Sequence, residues 1–171
     1  MTGTIAALAV IAASMLFESR LSRRNERALR RAGAIEPDGD VYPAMQWAYP
    51  GVFAAMAAEG VLRGGAGLPM LGAGAAIFAI GKALKYWAVA SLGARWSFRV
   101  LILPNAPLVT SGPYRWLRHP NYVGVVGELV GSALLLGAPI AGAAGTLLFA
   151  ELLRRRITVE NRALAERGRS R

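Results

Sequence analysis

The sequence predicts an all-α integral membrane protein with about five transmembrane helices, and two observations support this. Of the 171 residues, 54% are hydrophobic, and they lie in long apolar runs. Arginines flank these runs, as expected for residues that set topology and contact anionic lipid headgroups. The chain has no cysteine and one histidine, which excludes disulfides and thiolate chemistry and leaves little basis for a metal site.

A net charge of +10 would indicate nucleic-acid binding in a soluble chain, but arginines beside apolar runs favour membrane lipids as the partner, and we expect no nucleic acid. The predicted membrane segments are 1–18, 44–62, 66–92, 121–136 and 140–153. The first segment lacks the basic start of a signal peptide, so we expect a retained helix.

The segment 18–34 is rich in arginine and is predicted to be a solvated basic helix, with substrate recognition as the alternative. In the third membrane segment, small residues at 72–74 favour close approach of a neighbouring helix. Lys82 and Lys85 either extend to the headgroups or contact a bound ligand. The long connection 93–117 is mostly non-helical, and such loops in compact proteins are usually functional.

The fifth segment is predicted to continue as one helix through three arginines to Glu166. With the N-terminus outside, the connections 18–43 and 93–119 and the tail from Arg154 lie in the cytoplasm. These regions hold six, four and seven arginines, while the two outer turns together hold only Arg63. Because cytoplasmic loops carry an excess of basic residues, the C-terminus is also predicted to lie in the cytoplasm.

Residues 112–124 form the most distinctive stretch of the chain, with the sequence Gly-Pro-Tyr-Arg-Trp-Leu-Arg-His-Pro-Asn-Tyr-Val-Gly. Pro120 suits the first turn of a helix, and the residue before a proline is disfavoured in a helix, so His119 marks the boundary. Arg118 and His119 therefore lie where backbone N–H groups and the helix dipole favour an anion. The pattern predicts an anion-binding cluster at the mouth of a membrane helix.

This stretch resembles the signature of the isoprenylcysteine carboxyl methyltransferase family of integral-membrane methyltransferases. The resemblance extends back to 92–97 and forward to 156–164, where Glu160 is followed by Asn161 rather than by the second glutamate of many relatives. The length and composition predict one domain over 1–171. Within it, the resemblance implies N-terminal helices at 1–92 and a cofactor-binding half at 93–171. The cytoplasmic pocket would be formed by the 93–120 connection and the extension of the last helix.

The cofactor implied by the resemblance is S-adenosylmethionine. Its carboxylate would meet Arg118 and His119, and its ammonium or ribose would meet Glu160. The residues expected to bind it are Tyr114, Arg118, His119, Tyr122 and Glu160. The alternatives are anchoring to lipid phosphates, a plain helix cap at His119, an interfacial aromatic belt, and an intrahelical pair of Arg156 with Glu160.

Glu128 and Arg118 are the predicted catalytic residues. Glu128 lies roughly 12 Å beyond the cofactor mouth by helical rise, and a carboxyl group at membrane depth is a functional candidate because its burial is costly. A positioned carboxylate assists methylation of an enol or phenol, which must lose a proton. The alternative is a structural hydrogen bond to Glu128 from Tyr49 or Trp87.

The expected reaction is methyl transfer to an oxygen of a lipophilic acceptor at the bacterial inner membrane. The chain resembles the small bacterial branch of the family, which implies an alkylpyrone or alkylresorcinol acceptor. Carboxyl methylation of an isoprenylcysteine-like substrate is the alternative within the family. A membrane enzyme similar to sterol reductases and a non-catalytic membrane subunit are the alternatives outside it.

Overall fold

The chain is mainly helical in the part described by the computed structural model, which covers residues 2–104 and 106–169. Its five α-helices are α1 (Thr2–Arg31), α2 (Tyr42–Leu62), α3 (Leu68–Leu92), α4 (Pro120–Leu136) and α5 (Pro139–Arg169). Two 3₁₀ helices, Gly93–Arg95 and Gly112–Arg115, lie in the connection between α3 and α4. Two extended residues on separate connections, Ile35 and Ile102, form an isolated antiparallel bridge. The predicted all-helical class is confirmed.

Most helix boundaries lie close to the prediction because prolines fix the starts. Pro residues occupy the first turns of α2, α3 and α4, where the missing N–H costs nothing. Gly137 ends α4 in the left-handed conformation (φ 67°), which turns the chain into α5. The first residues of α5 are held by α2, since Glu59 accepts backbone N–H bonds from Ile140 and Ala141. The prediction that α5 continues to Glu166 is confirmed.

The first helix differs from the prediction. The apolar segment and the basic segment form one continuous helix of 30 residues, with no break at Glu18. The basic half is also not solvated on all sides, because Glu18, Ser22, Asn25 and Leu29 are buried at helical spacing. The expectation of a fully solvated basic helix is therefore wrong for this face.

Close packing of α3 against α4 depends on glycine. A Cβ atom at Gly81 would lie 2.9 Å from the backbone nitrogen of Glu128, and one at Gly74 would lie 2.6 Å from that of Leu135. The predicted role of small residues is confirmed at Gly74, whereas Gly72 faces open space. This approach places the lysines of α3 directly beside Glu128 on α4.

Two helices in the described residues are long and apolar enough to cross a bilayer, Ile5–Arg31 and Leu68–Arg95. The apolar helix Pro120–Leu136 is shorter. The outer surface carries many exposed apolar side chains, including Phe17, Trp47 and Leu147. A surface of this kind marks contact with lipid or protein, while the five-span topology stays a prediction.

Candidate functional site

A cavity of about 580 Å³ lies among the helices and beside the connection 93–119. This volume is within the usual range for small-molecule sites. The predicted walls, the 93–120 connection and the extension of α5, both line it, and α1, α2 and α3 contribute as well. Its apolar lining includes Met15, Met45, Val125, Phe149 and Leu153. Its polar residues belong to two clusters, which contact α4 at different positions along the helix.

The first cluster is built on α4 and α5 from Tyr122, Glu160, His119 and Arg156, and we call it the motif cluster. The Tyr122 hydroxyl donates to Glu160 Oε2 at 2.7 Å and accepts from Arg156 Nε at 2.9 Å. The His119 ring stacks on Tyr122 with centroids 5.4 Å apart, and its Nδ1 lies 3.8 Å from Glu160 Oε2. Three of the predicted cofactor residues are therefore brought together.

Arg156 links the motif cluster, through Asp40, to the connections 32–41 and 93–119. Its guanidinium donates to Asp40 Oδ1 at 3.1 Å, and both side chains are buried. Asp40 also accepts backbone N–H bonds from Tyr42 and Val100. Arg156 therefore binds Asp40 and Tyr122, and the intrahelical pair with Glu160 considered above is not formed.

The other two predicted cofactor residues, Arg118 and Tyr114, also line the cavity. Burial raises the pKa of Tyr114, and the charge of Glu160 raises it further, so the phenol stays neutral. His119 makes no side-chain hydrogen bond that caps α4. Its ring lies against Tyr122 instead, so the plain-cap interpretation does not hold.

The second cluster is formed by Glu18, Tyr49, Lys82, Lys85 and Glu128, and we call it the buried ion cluster. Glu18 accepts from Lys82 Nζ at 2.7 Å and from Lys85 Nζ at 2.6 Å. The two lysines also approach Glu128, at 3.2 Å and 3.3 Å. Two carboxylates and two ammonium groups thus balance each other, which offsets the cost of burying them. Lys85 is 2% exposed, so the expectation that it extends to the headgroups is wrong.

Glu128 is 1% exposed and does not line the cavity. Its Oε2 accepts from the Tyr49 hydroxyl at 2.6 Å, which confirms the hydrogen bond considered above. Trp87, the other candidate donor, packs against Trp116 instead. Because Tyr49 and Lys85 do line the cavity, any action of Glu128 on a bound molecule has to pass through one of these two residues.

Sequence reasoning missed Glu18 and Asp40. Glu18 starts the buried stripe of α1, and the spacing of Glu18, Ser22, Asn25 and Leu29 was the available signal. No local sequence signal pointed to Asp40, because its partners Val100 and Arg156 lie 60 and 116 residues away. Both residues acquire their roles only through tertiary packing.

The motif cluster fits the donor and acceptor groups of a methyl-donor cofactor with an amino-acid end. Arg118 and His119 present cationic or N–H groups to the cavity, as a carboxylate requires. Glu160 is 29% exposed and contacts Tyr122 and His119 through Oε2 alone, which leaves Oε1 to accept from an ammonium or ribose hydroxyl. No group of three or more potential metal ligands occurs among the residues at 2–104 and 106–169.

Residues 74–166 match the isoprenylcysteine carboxyl methyltransferase (ICMT) family. Over 160 residues the chain is 33% identical to the uncharacterized protein YpbQ of Bacillus subtilis strain 168, covering 93% of this chain and 95% of that protein. It is 25% identical over 158 residues to an uncharacterized protein of Haemophilus influenzae, covering 92% of each. None of the solved structures matches the chain significantly. The match covers more than half of the chain, which therefore belongs to the ICMT family.

Proposed function

We propose that this protein is an S-adenosylmethionine-dependent O-methyltransferase that acts on a lipophilic acceptor at the membrane. Its family is one of methyltransferases, and the family and the apolar helices together indicate a membrane protein. The observation that carries the proposal is a shared cavity. The motif cluster, which suits the cofactor, lines the same apolar-walled space as Glu18, Tyr49 and Lys85 of the buried ion cluster.

On this proposal the motif cluster binds the cofactor, which supplies an electrophilic methyl group when bound. Arg118 and His119 hold its carboxylate, with help from the N-terminus of α4. Glu160 Oε1 accepts from the ammonium or the ribose. Tyr114 and Tyr122 face its adenine or its sulfonium, and neutral aromatic rings suit both.

The acceptor is proposed to be a lipid with a phenolic or enolic hydroxyl, of the alkylpyrone or alkylresorcinol type. The apolar walls suit its chain, and the one carboxylate of the buried ion cluster that lines the cavity, Glu18, suits removal of its proton. A carboxylate acceptor of the isoprenylcysteine kind, which fits the family name, is the second candidate. It needs no base, so the two candidates differ in their need for the buried ion cluster.

The proposed location is the bacterial inner membrane, with the N-terminus outside and the C-terminus in the cytoplasm. The supporting observation is the arginine asymmetry between the two sides. The motif cluster lies at the start of α4 and on the arginine-rich part of α5, so this orientation exposes it to the cytoplasmic cofactor pool. The exposed arginines would contact anionic lipid headgroups.

Calorimetric titration of the purified protein with S-adenosylhomocysteine and with NADPH separates the candidate functions. We expect binding of the first and none of the second; NADPH binding alone would indicate a reductase, and binding of neither would indicate a non-catalytic subunit. Mass spectrometry of lipids from cells that express the gene should then reveal a species heavier by one methylene group. Glu151→Gln is a suitable control, since Glu151 pairs with Arg154 and Arg155 and does not line the cavity.

A further inference from the structure

We propose that Glu18, on the first helix, takes the proton from the hydroxyl group of the acceptor, and that Lys85 holds the resulting oxygen anion. This inference rests on the proposed function and identifies the residues that would contact the acceptor hydroxyl. Glu18 and Lys85 both line the cavity, whereas Glu128 does not. Of the two carboxylates in the buried ion cluster, only Glu18 is therefore open to a bound molecule.

The surroundings of Glu18 suit a base. Ionisable groups face it from three other helices: Tyr49 on α2, Lys82, Lys85 and Tyr86 on α3, and Glu128 on α4. The two lysines favour the ionised carboxylate, so Glu18 takes up a proton only as the acceptor oxygen replaces it as their partner. Once Glu18 is protonated, the lysines face a new anion, so the acceptor oxygen takes over the pairing that the carboxylate gives up.

The position of the buried ion cluster relative to the motif cluster suits a transfer between them. Lys85 packs against Gly124, two residues after Tyr122, with its Cβ 2.9 Å from the place of a Gly124 Cβ. Glu128 lies six residues after Tyr122, which is about 9 Å along α4. If the cofactor binds at Tyr122 and Glu160, its methyl group and the attacking acceptor oxygen fit in the space between the two clusters.

The step balances without any further reactant. The acceptor O–H bond breaks, and its proton moves to the Glu18 carboxylate. The acceptor oxygen then forms a bond to the methyl carbon as the carbon–sulfur bond breaks. That electron pair stays on sulfur, which becomes a neutral thioether. Glu18 later releases its proton to solvent, which restores the starting charges of the buried ion cluster.

The same arrangement selects the acceptor. Both ammonium groups are already paired with Glu18 and Glu128, so the buried ion cluster holds no unpaired cation for a carboxylate acceptor. An entering carboxylate would face Glu18 at close range, and two like charges in a low-dielectric site repel strongly. A neutral hydroxyl group instead donates to Glu18. We therefore infer a preference for hydroxyl acceptors over carboxylates.

The first test compares Glu18→Gln and Glu128→Gln in the full-length protein in lipid nanodiscs. A long-chain alkylresorcinol serves as the hydroxyl probe and farnesylated cysteine as the carboxylate probe. We expect Glu18→Gln to keep its affinity for S-adenosylhomocysteine and to lose about 10²–10⁴-fold in turnover of the resorcinol. The loss should shrink at higher pH, where the acceptor ionises in solution. Glu128→Gln should lose less, and Glu151→Gln should match the parent.

A second measurement needs no turnover. An alkylated nitrophenol is bound with S-adenosylhomocysteine present, below the pH at which it ionises in water. The parent should show the phenolate colour without releasing a proton to the buffer, because Glu18 retains it. Glu18→Gln should lose the colour or release the proton. Equal turnover of the parent and Glu18→Gln, or identical colour and proton release in both, would overturn this inference. Failure to bind S-adenosylhomocysteine would instead overturn the proposed function.

Discussion

The hydroxyl group of Tyr122 bridges two charged residues of α5, donating to Glu160 at 2.7 Å and accepting from Arg156 at 2.9 Å. This one phenol orients the carboxylate proposed to bind the cofactor and connects it, through Arg156, to Asp40. The positions of Glu160 and Arg156 therefore depend on the Tyr122 hydroxyl. The ring of Tyr122 remains available for apolar contact with a ligand.

Tyr122→Phe should weaken binding of S-adenosylhomocysteine while the ring packing stays intact. Removing the hydroxyl leaves Glu160 and Arg156 without a shared partner, and a hydrogen bond to a charged group contributes about 1.5–3 kcal/mol. Isothermal titration calorimetry measures the loss. Thr158→Val is a control on α5, the helix of Glu160 and Arg156, because Thr158 is exposed and donates to the backbone carbonyl of Arg154. An affinity equal to that of the control would show that Tyr122 does not position Glu160.

His119→Ala and Arg118→Ala should each reduce the affinity for S-adenosylhomocysteine. Each substitution removes a donor that faces the cavity, and the expected loss is on the order of 1–3 kcal/mol for a charge-assisted contact. The measurement is calorimetric titration at constant pH and salt concentration. Unchanged affinity in both variants would remove the basis for placing the cofactor carboxylate at the mouth of α4.

Glu128→Gln should keep the affinity for S-adenosylhomocysteine but slow methylation of a hydroxyl acceptor. The carboxylate acts through Lys85 and Tyr49, and a misplaced group at a reacting centre costs up to about 10²-fold. Tyr49→Phe, which removes the hydrogen bond that Tyr49 donates to Glu128, should also slow turnover. For a merely structural Glu128, turnover by Glu128→Gln would stay normal and only Glu128→Leu would lower the melting temperature.

Gly81→Ala should lower the melting temperature in detergent, whereas Gly72→Ala should leave it unchanged or raise it. A methyl group at Gly81 would meet the backbone of Glu128 at 2.9 Å, and overpacking of this kind typically costs about 1–3 kcal/mol. At Gly72 nothing lies within 4 Å, and alanine favours the helix. Equal melting temperatures for the two variants would argue against direct backbone contact between α3 and α4.

The connection 32–41 should loosen at acid pH through Glu36. Burial alone would raise the pKa of Glu36, but hydrogen bonds from Arg99 and Arg30 outweigh it and hold the pKa below 4.5. Because the folded value is depressed, this stabilisation is present above pH 4.5 and is lost as the pH falls through the lower folded value. The melting temperature of Glu36→Gln should therefore fall less steeply with acid than that of the parent. Parallel pH dependences would contradict this assignment.

The helices and the motif cluster could be predicted because their signals are local. Apolar runs and prolines marked the starts of α2, α3 and α4, and the spacing around His119 indicated a shared site with Tyr122. Glu160, on a different helix, was reached only through the family resemblance. Its hydrogen bond to Tyr122 is a product of how α4 packs on α5.

The buried ion cluster could not be predicted as a unit. Glu18 and Lys85 are 67 residues apart, and neither sequence neighbourhood specifies the other. Read alone, Glu18 looked like the polar end of a membrane helix, and Lys85 looked like a headgroup contact. Their pairing depends on how α1 packs beside α3, and on the glycines that bring α3 against α4.

The two clusters share α4, but otherwise they are drawn from different parts of the chain. Glu18 and Tyr49 lie before the family match begins at residue 74, whereas the motif cluster lies inside it. Substitutions in the first two helices can therefore alter the proposed acceptor end and leave the residues of the proposed cofactor end in place. The two ends of the proposed reaction are thus open to separate change, one helix pair at a time.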